Sequence, residues 1–250
     1  MSEPLAGNAH GAQPGSSVSG TVMYQQWRSL LFLHWPIDAA SIQQHLPDPL
    51  VADTFNGTAW LGLVPFVMQN VRPAYLPAVP GLSTFPETNI RTYVKYHGIE
   101  PGVWFFSLDA ANHIAVLIAR TLWKLPYYYA HMKVDVDGSR AHYEGQRADT
   151  EVDYQVEANW HGEMYHAIPG SLEHFLAERY LLYTERNGQI FQGRVNHSPY
   201  PLHDAQVVTC TQSLSAASGF PIAGAPVSAL YSPGVDVSVT PLRHMIGAVR

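Results

Sequence analysis

Short apolar runs dominate this chain, and most of them carry the β-branched and aromatic side chains that suit a pleated sheet. Ser29 to Trp35 reads as an apolar strand. Val51 to Phe55 and Thr58 to Met68 flank Asn56-Gly57, two residues that accept positive φ and so predict a hairpin. Arg91 to Val94 and Val103 to Phe106, bounded by Gly98 and Pro101-Gly102, predict another. Met132 to Val136 and Arg140 to Arg147 flank Asp137-Gly138, and Thr150 to Trp160 continues them as a meander. Further strand pairs are expected around Asn187-Gly188 and from Ala205 to Ser213, with a last strand from Tyr231 to Thr240. Between 72 and 86, four prolines break any ladder and predict a long surface loop that could fold over a cavity mouth.

Helical signals are fewer. Asp38 caps a short segment, Ala39 to Leu46, that ends at Pro47. Asn112 caps a second helix reaching Leu122, with Ile114, Leu117, Ile118 and Leu122 on one face; it must stop before Leu125, because the residue preceding Pro126 is pushed toward extended geometry. Tyr127, Tyr128 and Tyr129 then open a strand. Ser171 starts a third helix that runs to Tyr180. Residues 1–20, rich in Gly, Ser and Pro, predict a flexible leader, which leaves 21–250 as a single domain.

Composition sharpens this picture. Charged residues make up only 14% of the chain and aromatics 12%, a balance that favours sheet surface and a lined interior over solvated helices. Many short strands with hairpin punctuation predict a mostly β (α+β) fold: an antiparallel sheet system that can close into a barrel around a small ligand. A net charge of −6 and three lysines argue against a nucleic-acid partner. The single cysteine, Cys210, excludes an internal disulfide and suits a cytoplasmic location. No apolar run reaches membrane-spanning length and the N-terminus lacks signal-peptide character, so no membrane partner is expected.

Two resemblances carry implications for function. Arg120-Thr-Leu-Trp123-Lys-Leu-Pro126-Tyr127-Tyr128 resembles the acetoacetate decarboxylase pattern Arg-x-x-Trp-Gly-Phe-Pro followed by two adjacent lysines. LHWPID (33–38), LVPFVM (63–68), FPETNIRTYV (85–94), ERYLLYT (178–184), NHSPYPL (196–202) and YSPGVDV (231–237) are similar to landmarks of the YqjF-like proteins, an uncharacterised bacterial family in the same superfamily. The resemblance implies an acetoacetate-decarboxylase-like antiparallel β-barrel with a few short peripheral helices, an internal cavity and a tendency to form homo-oligomers.

In the decarboxylases a lysine forms a Schiff base with a keto acid, its pKa lowered by the adjacent lysine. Here Tyr127 and Tyr128 hold both positions, and a phenol cannot form an imine. Lys124 stands at the family's Gly. The resemblance places Glu87 where that family has an active-site carboxylate and Arg28 where it has an arginine ahead of the first strand. The expected site therefore uses Glu87 and Tyr127 catalytically and binds substrate through Arg28, Tyr129 and Trp104, with no cofactor. Structural roles compete with each of these. Arg28 and Glu87 could pair with each other or with Arg91, tyrosines on a sheet commonly serve packing, and Arg120 suits pinning the helix to the sheet.

Thirteen histidines raise a metal hypothesis, yet none sits at the spacing of a specific motif, and only His131 and His142 could face each other across the Asp137-Gly138 hairpin. No metal is expected. Ser215 and Ser218 lack a nucleophile elbow. Two readings follow. One is a lyase or isomerase-like enzyme that stabilises an enolate of a small organic acid or oxo compound. The other is a non-catalytic ligand-binding or interaction protein that retains the barrel without the lysine.

Overall fold

The computed structural model describes residues 20–245; the leader expected at 1–20 lies, apart from Gly20, outside them. The strands are β1 (Met23–Ile37), β2 (Leu50–Ala52), β3 (Ala59–Pro73), β4 (Phe85–Tyr96), β5 (Glu100–Ala110), β6 (Tyr127–Asp137), β7 (Arg140–Arg147), β8 (Asp153–Tyr165), β9 (Leu181–Arg186), β10 (Gln189–Asn196), β11 (Leu202–Gln212), β12 (Ser228–Val239) and β13 (Arg243–His244). Four short helices interrupt them: α1 (Ala39–Gln43), α2 (His113–Ile118), α3 (Leu172–Ala177) and α4 (Leu214–Ala217). The protein is mostly β.

The strands lie in the order β13-β10-β9-β5-β6-β7-β8-β11-β12-β1-β3-β4-β2, with further pairings β4–β5 and β10–β12. The ladders therefore return on themselves. From β5 one route runs through β6, β7, β8 and β11 to β12, and a second runs through β9 and β10 to β12. Both come back through β1, β3 and β4. All pairings are antiparallel except β5–β6 and β5–β9.

The shared wall β12-β1-β3-β4 is buried on both faces. Leu30, Phe32, Val64, Phe66 and Met68 enter one cluster with Leu108, Val195 and Val237; Leu31, Leu33, Leu61, Leu63 and Ile90 enter another with Tyr143, Tyr154 and Val156. This explains why β1 and β3 read as unbroken apolar runs instead of alternating ones.

Local signals placed most elements. Asp38, Asn112 and Ser171 each cap their helix by accepting hydrogen bonds from backbone N–H groups of the first turn. Asn187-Gly188 takes positive φ at both positions and joins β9 to β10. At Asn56-Gly57 both φ are also positive, but the expected hairpin is a single Phe55–Thr58 bridge, because β2 leaves its neighbour to pair with β4 (Leu50 opposite Tyr96). α3 ends at Ala177, short of Tyr180.

The second helix departs further from expectation. After Ile118 it widens into a π-helical turn, Ala119–Trp123, that closes on Lys124 in the left-handed region (φ 58°). This is the position where the decarboxylase pattern has Gly, the residue that takes such a φ most easily. Val116 is buried, and Ala115, Ala119 and Trp123 pack on the core, so the opposite stripe of Ile114, Leu117, Ile118 and Leu122 is exposed.

One irregularity in β1 decides which side chains face inward. Ser29 adopts φ 51°, and the β1–β3 register shifts between Arg28 and Leu33. Side chains alternate along a regular strand, so Arg28 would otherwise share the face of Leu30 and Phe32. The bulge reverses the phase and turns Trp27 inward instead. Opposite Arg28 on β12, Gly234 has φ 135°, and a Cβ there would collide with the Trp27 carbonyl. Gly234→Ala is therefore expected to lower the melting temperature more than Gly138→Ala, whose φ of 56° is strained but whose Cβ meets nothing within 4 Å. The first adds overpacking of roughly 1–3 kcal/mol to the left-handed penalty that both share. Equal melting temperatures in the two variants would contradict this.

Candidate functional site

A cavity of about 350 Å³ lies on the β9–β10 side of the shared wall. Its walls are mostly hydrocarbon, including Trp27, Leu30, Phe66, Phe105, Trp123 and Val195. At one end it meets the 74–84 loop and α2, where Val79, Leu82, Ile114 and Ile118 line it while remaining partly exposed. This loop is the proline-rich stretch between β3 and β4, and the Asn112 Nδ2 donates to the Leu82 carbonyl (2.8 Å), tying it to the start of α2.

Several polar side chains reach this space, among them Gln25, Arg72, Ser83, Asn112 and Arg179, and three more form a stripe along one strand. Glu87, Asn89 and Arg91 occupy alternate positions of β4, share one face and all line the cavity. Opposite them, Tyr127 at the start of β6 donates its hydroxyl to Glu87 Oε2 (2.8 Å). The parallel β5–β6 pairing that begins at Leu108 and Tyr127 sets this contact, and Arg120 fixes the chain there by donating from Nε to the Tyr127 carbonyl (2.6 Å).

Burial dominates the electrostatics. Desolvation pushes the Glu87 carboxyl up to about 8 against an ordinary 4.5, the Tyr127 hydrogen bond opposes that rise, and the Asp109 charge adds to it. Tyr127 is driven well above the usual phenol range, first by burial and then by Glu87. Near neutrality the pair is a carboxylic acid held by a phenol. Tyr127 occupies Oε2, so Oε1 is the oxygen available to a ligand. Just behind the pair, Arg147 grips Asp109 with two hydrogen bonds (Nε to Oδ2 3.0 Å, Nη2 to Oδ1 2.7 Å) and covers the Tyr128 ring.

Of the residues anticipated from the sequence, the structure brings Glu87 and Tyr127 together in the cavity. Arg28, rotated out by the bulge, pairs with Asp236 at the surface, and Glu87 forms an ion pair with neither Arg28 nor Arg91. Trp104 alternates with the cavity-lining Val103 and Phe105 and faces a separate cleft that it shares with Arg120 and Lys124. Tyr129 leans away to stack on His113. The Lys124 ammonium sits over the Phe191 ring (3.2 Å) and outside the cavity. His131 and His142 do not face each other, because the register sets them opposite Gln146 and Asp135. Among the described residues no three His, Cys, Asp or Glu side chains converge to hold a metal ion.

Sequence reading missed Asn89, Arg91 and Arg179. Arg91 Nη2 donates to the Leu176 carbonyl (2.9 Å), and Arg179, also lining the cavity, pairs with Asp53 (2.8 Å). A signal for the first two was present: Glu87, Asn89 and Arg91 form a period-two polar stripe within an apolar strand.

The raised Glu87 value has a consequence for stability. Unfolded, this carboxyl releases its proton near 4.5; folded, it keeps it to about 8. Between those values the unfolded chain binds fewer protons, so Glu87 lowers stability progressively as pH rises through the window and by a constant amount above it. Glu87→Gln removes that penalty while keeping an acceptor for Tyr127. The melting temperature of the variant minus that of the wild type should therefore increase from pH 5 to pH 9, by the equivalent of several kcal/mol. A difference independent of pH would contradict the assignment.

Solved structures with the same fold include the enduracididine biosynthesis enzyme MppR complexed with pyruvate (TM-score 0.64, 11% identity, 92% of this chain and 93% of that one). Another is acetoacetate decarboxylase from Legionella pneumophila subsp. pneumophila str. Philadelphia 1 (TM-score 0.63, 13% identity, 97% and 98%). At these identities the likeness is one of fold. The uncharacterized protein YqjF of Bacillus subtilis (strain 168) is 38% identical over 223 residues, 89% of this chain and 92% of the relative. The model of the DUF2071 family, described as "Uncharacterized conserved protein (COG2071)", matches residues 24–236, from β1 into β12, and the chain belongs to that family.

Proposed function

We propose that the cavity binds a small organic acid or oxo compound and that Glu87, as a neutral acid, donates a hydrogen bond from its free oxygen to the ligand's oxo group. The observation that carries this reading is the buried Glu87–Tyr127 contact inside an apolar chamber, with the Glu87 carboxyl pushed up to about 8. A carboxyl kept neutral by a dry site can stabilise the oxygen of a developing enolate, because the donor is aimed in advance and needs no reorganisation from water. The same group, once ionised, can accept a proton from the carbon beside the carbonyl. Tyr127 steadies either state with its hydroxyl.

In this reading the returning ladders form an acetoacetate-decarboxylase-like barrel and 21–250 one domain, and the chemistry is that of a lyase or isomerase without an imine. Three observations support the last point. Tyr127 and Tyr128 stand where the decarboxylase pattern has lysines. No lysine among the described residues lines the cavity. Lys95 is paired with Asp53, and Lys124 rests on Phe191. The pyruvate named for MppR makes short oxo acids a natural starting panel.

The test is deuterium exchange. With 2- and 3-oxo acids in D2O, NMR should show protein-dependent label entering the carbon beside the carbonyl for at least one acid. Glu87→Gln should slow that exchange by about 100-fold or more, Tyr127→Phe should slow it less, and borohydride should leave the protein mass unchanged. A borohydride adduct, or exchange indifferent to Glu87, would overturn the mechanism. Saturable binding without exchange would favour the non-catalytic ligand-binding reading.

A further inference from the structure

The interior end of the cavity is cationic without being balanced. Arg91 is 9% exposed, and no acidic side chain among the described residues pairs with it. Its Nη2 is spent on the Leu176 carbonyl and, weakly, the Tyr93 hydroxyl (3.4 Å), while its buried Nε has no partner. Beside it Arg179 takes one oxygen of Asp53, and Lys95 takes the other. Glu178, whose charge is also felt in this region, is bonded to the Tyr180 hydroxyl and the Tyr200 amide. Two steps along β4, Asn89 is 5% exposed and its Oδ1 likewise lacks a partner among the described residues. Buried groups of this kind are costly unless something satisfies them, and a guanidinium suits a carboxylate above all.

The position of these groups along the strand gives the ligand a direction. β4 enters the cavity at Phe85, beside the opening formed by the 74–84 loop and α2, and reaches Glu87, Asn89 and then Arg91. At ~3.3 Å per residue, the four steps from Glu87 to Arg91 span about 13 Å. The remaining walls are mostly apolar, and the opening is rimmed by Val79, Leu82, Ile114 and Ile118 together with Arg72, Ser83 and Asn112. Arg72 is partly exposed and lies over the Tyr24 ring (4.8 Å), which leaves Arg91 as the buried cation without an acidic partner. A two- or three-carbon acid seated on Arg91 would leave most of that hydrocarbon unfilled.

We propose that the physiological ligand is an elongated monocarboxylate: its carboxylate seats on Arg91 with Asn89 beside it, and its apolar tail passes Glu87 and Tyr127 to the opening between α2 and the 74–84 loop. This rests on the ligand-binding reading above and narrows it. An oxo group partway along such a chain falls opposite Glu87. Arg91 is then the residue that selects acids, and the rim selects for chain length.

Calorimetric titration of the intact protein with dodecanoate, pyruvate and dodecanamide separates the contributions, and no variant is needed for the comparison. Dodecanoate should bind at least ~10-fold more tightly than either of the others, since it alone combines the charge with a tail long enough to pass Glu87. Arg91→Gln should weaken dodecanoate by about tenfold or more and leave dodecanamide within about threefold; Asn89→Ala, which leaves the Arg91 contacts to Leu176 intact, should weaken dodecanoate in the same direction. Dodecanamide binding as well as dodecanoate, or dodecanoate binding unchanged in Arg91→Gln, would overturn the proposal. If pyruvate binds and dodecanoate does not, the elongated ligand is excluded while the short oxo-acid reading stands. If neither acid binds, both readings fall.

Discussion

A carboxyl group walled into hydrocarbon holds its proton, and that constraint governs the site. Glu87 sits among aromatic and aliphatic side chains with one phenol for company, and burial outweighs the hydrogen bond that would favour its ionised form. The asymmetry follows from magnitudes: desolvating a charge in a weakly polarisable interior costs several kcal/mol, while one neutral hydrogen bond returns about 1 kcal/mol. Arg147 does not relieve Glu87, because it is committed to Asp109 by two bonds. On the paired strands β4 and β5 the fold thus places one acid held by a phenol and one held by an arginine, and burial raises the pKa of both.

The chamber exists because the wall β12-β1-β3-β4 is covered on both sides. On one side β6, β7, β8 and β11 close over a solid core rich in Tyr143, Tyr154 and Leu214. On the other, β9 and β10 bridge from β5 to β12 and leave space. The bulge at Ser29 matters more than its size suggests. It exchanges a charged side chain for an indole on the cavity wall, so the inner cation comes from β4 and not from β1.

Much of the fold was legible in short-range chemistry. Capping oxygens at Asp38, Asn112 and Ser171 act within one turn, and Asn-Gly turns act within two residues, so both can be read locally. Glu87 and Tyr127 were identified through the resemblance of their motifs to known families. What escaped was set by distant partners or by single backbone irregularities. β2 pairs with β4 across forty-odd residues, α2 widens into a π-turn whose inner face is small side chains, and one left-handed serine inverts the phase of β1. Arg28 was misplaced by that serine, Trp104 faces away from the cavity because it alternates with Val103 and Phe105 beside a register shift in β5, and Tyr129 stacks on His113 instead. Arg91 went unread as a cavity-lining residue, although its spacing from Glu87 and Asn89 was visible.

In the proposed reading, a phenol at Tyr127 where the decarboxylase pattern has lysine changes what the chamber can do with a carbonyl. An amine would bond to it; a phenol beside a neutral carboxyl can only donate hydrogen bonds to it. Either role of the chamber therefore depends on the protonation of Glu87. Infrared difference spectra between the wild type and Glu87→Gln across a pH series isolate this carboxyl. The protonated C=O band should persist at pH 7 and disappear with a midpoint of about 8. A band already lost by pH 6, with a midpoint near 4.5, would show an ionised Glu87 and contradict the account.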